Sequence, residues 1–260
     1  VGLTTNGLLL NAEKIRQLIT DGVKGFTVSL DAVGGAFDDI RGVPGAYEKV
    51  YQACQALSEF RKSHGIDVYL AFLLMKKTLP YYRDVVAVAE DLRFPITVNL
   101  FDANSYFFTL PQGKEPFWLG SDDQTALKEF QKFFVKKKTV SPQSQYHSFR
   151  EIDFWREYFD NPRSPHIPCL VSQSRICIDA KGQVYGGCWA LGPYGNVSQI
   201  PLRQIIQSPG YRRAHQQMFV KQCPGCSCGY SANLRYSLPD LVRQLRYKIF
   251  PKTRERIWKK

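Results

Sequence analysis

No apolar run in this sequence is long enough to cross a bilayer. The longest, VYLAFLLM at 68–75, falls far short of the ~20 residues a spanning helix needs. No basic–apolar–small leader follows Val1, so no secretory signal is read. Histidine is scarce: His64, His147, His166 and His215 show no ligand spacing, which points to surface or structural roles. There is no internal repeat, and no aromatic–basic module of the kind that binds nucleic acid, so no nucleic-acid partner is expected. Cysteine is nearly missing from residues 1–160, where Cys54 stands alone, and the other six lie between Cys169 and Cys228. A secreted disulfide scaffold is usually short with an even cysteine count, and this chain has 260 residues and seven cysteines. These absences predict a soluble protein of the reducing cytoplasm.

What is present suits a globular α/β protein. Hydrophobic residues make up 44% and charged residues 22%, enough for one large domain or a medium domain with an appendage. The net charge of +12 is concentrated: the last 18 residues, RQLRYKIFPKTRERIWKK, carry eight lysines and arginines against one glutamate, and KKK fills 136–138. A solvated basic tail over 241–260 is the first reading, and weak contact with a membrane surface the second. The opening VGLTTNG reads as the middle of a strand-and-turn unit, which points to a fragment of a longer chain.

Hydrophobic periodicity alternates between strand and helix through the first two-thirds. A strand end at 3–5 and the turn Asn6-Gly7 precede a helix over 12–22, with Ile15, Leu18 and Ile19 on one stripe. Strands are predicted over 25–32, 66–74 and 96–101, and helices over 44–65, 79–93, 122–138 and 149–159. Residues 102–121 read as irregular and 139–148 as a linker. This β-α-β-α rhythm predicts a parallel sheet covered by helices, open or closed into a barrel. After PRSPHIP the style changes to a β-hairpin over 175–188 and helices near 201–207 and 209–220. The boundaries that follow are 1–160 for the barrel-like part, 161–240 for a second domain and 241–260 for the tail.

The stretch QCPGCSCGY (222–230) packs three cysteines around a Pro-Gly turn. Cys223 and Cys226 form a CxxC, a spacing shared by redox pairs, zinc sites and iron–sulfur sites. A hairpin brings Cys169 and Cys188 together, and a returning helix delivers Cys223 and Cys226, giving four thiolates for one centre. Zinc and a cubane cluster both accept that set. Cys228 is a spare thiol or a substitute ligand, Cys177 a buried strand residue, and Cys54 a core residue on the apolar face of its helix.

Taken in order, TTNG (4–7), VSLDA (28–32) and FDDIRGVPGAYEKV (37–50) resemble the middle of radical S-adenosylmethionine (SAM) enzymes. Downstream, Cys169, IDAKGQVYGGC ending at Cys188, Gly195-Asn196 and the 223–226 CxxC resemble the SPASM/Twitch extension that carries an auxiliary [4Fe–4S] cluster. The resemblance implies a partial (β/α)₆ barrel followed by a small hairpin-and-helix cluster domain. It implies SAM contacts at Ser29 (ribose), Arg41 (carboxylate), Asn6, Asp31 and Leu100 (adenine), and cluster ligands at Cys169, Cys188, Cys223 and Cys226. It also implies a 5′-deoxyadenosyl radical that takes hydrogen from a peptide or small molecule, with electrons from a donor such as flavodoxin or ferredoxin. The CxxxCxxC of the SAM-cleaving [4Fe–4S] cluster and the Gly-Gly-Glu strand end are not in this sequence. The expectation is therefore an N-terminally truncated enzyme, inactive as given. By position, 102–121 and WALGPYGN (189–196) shape the substrate pocket.

Overall fold

The computed structural model describes residues 1–102, 116–141, 147, 149–161, 169, 171, 175–189 and 191–219, with the side chains of 139, 149 and 150 excepted. Cys223, Cys226, Cys228 and the basic tail lie outside the described residues. The described residues fall into two compact units, one within Val1–Phe101 and Gln112–Phe159, the other within Asp102–Pro111 and Asp160–Lys260.

In the first unit, β1 (Gly2–Thr5), β2 (Gly25–Ser29), β3 (Asp67–Leu74) and β4 (Ile96–Leu100) form one sheet in the order β1-β2-β3-β4. Every pair is parallel. The crossovers are helical: α1 (Ala12–Thr20), then α2 (Gly35–Arg41) with α3 (Ala46–His64), then α4 (Tyr82–Asp91). Parallel crossovers take one hand, so a sheet that always advances in one direction gathers its helices on one face. That is the layout of a barrel wall rather than of a doubly wound sheet.

Alternation along the strands shows which face is which. Phe26, Val28, Val68, Leu70, Phe72, Leu74, Ile96, Val98 and Leu100 are all buried. A Cβ added at Gly7 would sit 3.2 Å from both Val28 and Val50 of α3, so this apolar set is the helix-covered side. Over β3 and β4 the packing is aromatic. Phe72 faces Phe130 of α5 (Gln124–Val140) at 6.1 Å, and Trp155 of α6 (Phe149–Asp160) lies 5.4 Å from both Phe130 and Phe134. Each fully buried ring contributes about 1.5–3 kcal/mol through area removed from water.

Some elements differ from the sequence expectation, each for a local reason. The helix placed over 44–65 starts at Ala46, and α2 precedes it unforeseen, bounded by Gly34 (φ 61°) and Gly42 (φ 65°). The linker expected at 139–148 begins with the end of α5, which runs to Val140. It also holds His147, which is buried, and its Nε2 accepts the Val98 N–H at 2.6 Å on the outer edge of β4. Cys177, expected to be buried, is half-buried, because its strand is only two residues long.

In the second unit, β5 (Cys177–Ile178) and β6 (Val184–Tyr185) pair antiparallel, followed by α7 (Leu202–Gln207) and α8 (Pro209–Phe219). Asp179 Oδ1 accepts the N–H groups of Lys181 and Gln183, which closes the turn. Among the described residues no helix is long and apolar enough to cross a membrane.

Cys54 lies fully within the core under α3, and burial pushes its thiol up to about 12 from 9.0. The native state thus holds a proton that the unfolded chain releases. The stability from this residue is complete below about pH 9 and drains away as pH rises toward 12. We predict that the advantage of wild type over Cys54→Ala in denaturant titrations shrinks as pH rises from about 9 to about 11. A constant difference would show that Cys54 ionises as in the unfolded chain.

Candidate functional site

The C-terminal ends of the four strands gather the polar residues of the first unit. In register, Ser29, Ala71 and Thr97 form one cross-strand row, with Thr4, Thr27 and Tyr69 in the row below it and Leu73 and Asn99 above. This is the face away from Val28 and Phe72. Hydroxyl, amide and small side chains here leave hydrogen-bonding groups where the opposite face is closed by hydrocarbon.

Asp31, two residues past Ser29, organises this edge. Its side chain is 6% exposed, and it uses both oxygens inside the protein. Oδ1 accepts the Leu73 N–H at 2.8 Å, continuing the β2–β3 ladder by side chain, and Oδ2 pairs with Arg41 Nη2 at 2.6 Å. Burial pushes the Asp31 carboxyl up from its ordinary value, while the Leu73 N–H and the Arg41 charge act in the opposite direction. The Arg41 guanidinium also lies over the Phe37 ring, 5.2 Å from its centre. Its Nε is buried and, among the described residues, has no hydrogen-bond partner, while the side chain as a whole is 28% exposed.

The loop that delivers Arg41 is held by Asp38. Its Oδ2 accepts the Gly45 N–H at 2.7 Å and its Oδ1 the Tyr47 N–H at 2.8 Å, so it caps α3 from the preceding helix. FDDIRGVPGAY is therefore one folded unit: Phe37 and Asp31 hold the arginine, and Asp38 holds the turn after it.

Of the SAM contacts that the sequence resemblance implied, Ser29, Asp31 and Arg41 stand together. Asn6 follows β1 at the same end of the sheet, exposed, with its Oδ1 accepting the Leu8 N–H. Leu100 is on the other side. Its register partner is Leu74, it shares the helix-covered face with Ile96 and Val98, and it is 6% exposed. Strand alternation turns it away from Ser29. The β4 residues on the Ser29 face are Thr97 and Asn99, which the sequence reading passed over. The signal was the alternation in ITVNL itself.

In the second unit, Cys169, Val171 and, from α8, Ala214 and Met218 form one buried cluster, and the half-buried Cys188, Leu191 and Tyr194 pack against it. Among the described residues no disulfide links the two cysteines. Two glycines make this possible. A Cβ on Gly186 would meet Met218 Cε at 3.2 Å, and one on Gly187 (φ 80°) would lie 2.6 Å from the carbonyl oxygens of Val171 and Arg175. Asn196 explains the Gly195-Asn196 pair: its Nδ2 donates to Lys181 O, while Gly195 packs on Ile205 with no room for a Cβ. Among the described residues no group of three or more His, Cys, Asp or Glu side chains is placed to hold a metal. Of the four cysteines expected as iron–sulfur ligands, Cys169 lies in the buried cluster with Cys188 packed against it, and Cys223 and Cys226 are outside the described residues.

No protein-family model matches the chain. Over 91 residues, 35% of the chain, it is 30% identical to the AdoMet-dependent heme synthase of Oleidesulfovibrio alaskensis, a match spanning 22% of that protein. Native anSMEcpe with bound AdoMet superposes over 96% of this chain and 72% of its own, with a TM-score of 0.56 and 15% identity. Native anSMEcpe with bound AdoMet and Cp18Cys peptide superposes over 96% and 74%, with a TM-score of 0.55 and 14% identity. At that identity the likeness is one of fold: the chain shares the parallel α/β fold of anSMEcpe.

Gly187→Ala places a methyl group against two carbonyl oxygens on a left-handed backbone. The expected outcome is a loss of at least about 2 kcal/mol, local to the second unit. Amide exchange should accelerate over 175–219 and hold over the β1–β4 sheet; unchanged protection at 175–219 would refute the close approach.

Proposed function

We propose that this chain is the SAM-binding and auxiliary-cluster part of a radical SAM enzyme acting on a peptide or small molecule. The observation that carries this reading is the guanidinium of Arg41, brought by Asp31 to the strand end two residues from Ser29. A ligand with a diol and a carboxylate needs a hydroxyl that both donates and accepts, and a planar fork of N–H groups. Ser29 is assigned to the ribose and Arg41 to the carboxylate. Asn6 lines the neighbouring strand end, and Asn99 takes the place on β4 first given to Leu100. Supporting this, the fold is shared with AdoMet-bound anSMEcpe, and the curated relative is named as AdoMet-dependent.

Cys169, Cys188, Cys223 and Cys226 are assigned to an auxiliary [4Fe–4S] cluster, with Cys228 as a substitute ligand. When bound, such a cluster supplies electron transfer or a substrate anchor. The chain's own share is to bury Cys169 in the cluster with Met218, to pack the half-buried Cys188 against that cluster, and to hold the loop before Cys188 through Gly186 and Gly187. Among the described residues none fits the SAM-cleaving cluster, since Cys54 is sealed in the core. On this reading those ligands come from a longer natural chain, and the piece alone is inactive. An acceptor of electrons from flavodoxin or ferredoxin, working in the cytoplasm, completes the proposal.

Two measurements on the protein expressed from its natural gene test it. After anaerobic reconstitution, Cys188→Ser should lose about four irons relative to wild type. A colourless protein with about one zinc would replace the enzyme reading with a zinc-bearing scaffold. Arg41→Ala should weaken SAM binding by about ten- to a hundredfold in calorimetry, and unchanged affinity would remove Arg41 from the site.

A further inference from the structure

We infer that Asp31 does not touch the ligand but is the positioning residue for Arg41, and so sets how strongly the site favours a ligand that carries a carboxylate. The inference rests on the reading of Arg41 given above. Asp31 is 4% exposed, and both of its oxygens already have partners, Leu73 N–H and Arg41 Nη2. The lone pairs that remain are buried with it, so a sugar has little access to them. Its value is instead directional. Fixed to the β3 backbone on one side, it presents a rigid anchor to the arginine on the other.

The geometry of Arg41 fits that role. The guanidinium gives one Nη2 contact to Asp31 and lies over Phe37, so its plane is set by two supports on two sides. The buried Nε has no hydrogen-bond partner among the described residues, and the exposed part of the side chain keeps further N–H groups for an incoming anion. An arginine on a long flexible stem loses rotamer freedom when it binds, and a fixed arginine has already lost it. Asp31 thus serves recognition through preorganisation. A purely structural role would need only the Leu73 bond, which explains one oxygen and leaves the ion pair without a purpose.

The two roles separate when affinity is measured for two ligands. Asp31→Asn keeps an oxygen for the Leu73 N–H but turns an NH₂ toward Arg41, opposing two donors. Calorimetry on the protein from its natural gene would compare SAM with decarboxylated SAM. The wild-type preference for SAM should drop in Asp31→Asn to the level of Arg41→Ala, a fall on the order of tenfold. Affinity for decarboxylated SAM should hold, and Asp31→Asn should add nothing in an Arg41→Ala background. A preserved preference, or an equal loss for both ligands, overturns the inference. If Arg41→Ala itself keeps the wild-type preference, the carboxylate reading of Arg41 fails first and this one with it. Should Asp31→Asn not fold, Asp31→Glu shifts the same charge by one methylene and is judged by the same preference.

Discussion

The parallel hydrogen bonding of four strands in sequential order constrains everything else in the first unit. Once β1 to β4 advance in one direction with crossovers of one hand, all covering helices must lie on one face. Alternation then assigns each strand residue to the hydrocarbon side or to the polar side, with no further freedom. Ser29, Thr97 and Asn99 face one way because Val28, Val98 and Leu100 face the other. The ends of the strands, where the ladder runs out of backbone partners, are where a side chain can take over a ladder position. Asp31 does so by accepting the Leu73 N–H.

That arrangement places binding groups on a rigid support. Phe37, Asp38 and Arg41 all come from one short segment between β2 and α3, and each has its own tie: the core, the Gly45 and Tyr47 N–H groups, and Asp31. The second unit uses a different device. Among its described residues the named strands, β5 and β6, are two residues each, and its chain segments approach closely because Gly186, Gly187 and Gly195 lack side chains. There, the positions of Cys169 and Cys188 follow from missing atoms rather than from an extended ladder.

Much of the first unit was legible in the sequence because its signals are long. The stripe Ile15–Leu18–Ile19, the 19-residue helix Ala46–His64 and the apolar β3 all have periods that only one element satisfies. The helix Gly35–Arg41 was not legible, since seven residues between positive-φ glycines show no periodicity to detect. Leu100 was named from its motif position alone, while the alternation of ITVNL puts it on the helix-covered face and Thr97 and Asn99 on the other. Nothing in the sequence around His147 announced a bond to Val98, because that contact spans 49 positions and depends on where α6 packs. The Asp31–Arg41 pair sits between these cases: both residues were named, but their attachment to each other needed the fold.

The His147 contact has a consequence for how the sheet can grow. The imidazole occupies the Val98 N–H on the outer side of β4, a donor that a neighbouring strand would otherwise claim. A bulky ring bonded in that place, backed by Trp155 at 5.2 Å, works as a stopper against edge-to-edge association. With that donor taken, the middle of β4 has lost one of the backbone groups through which a further strand would pair.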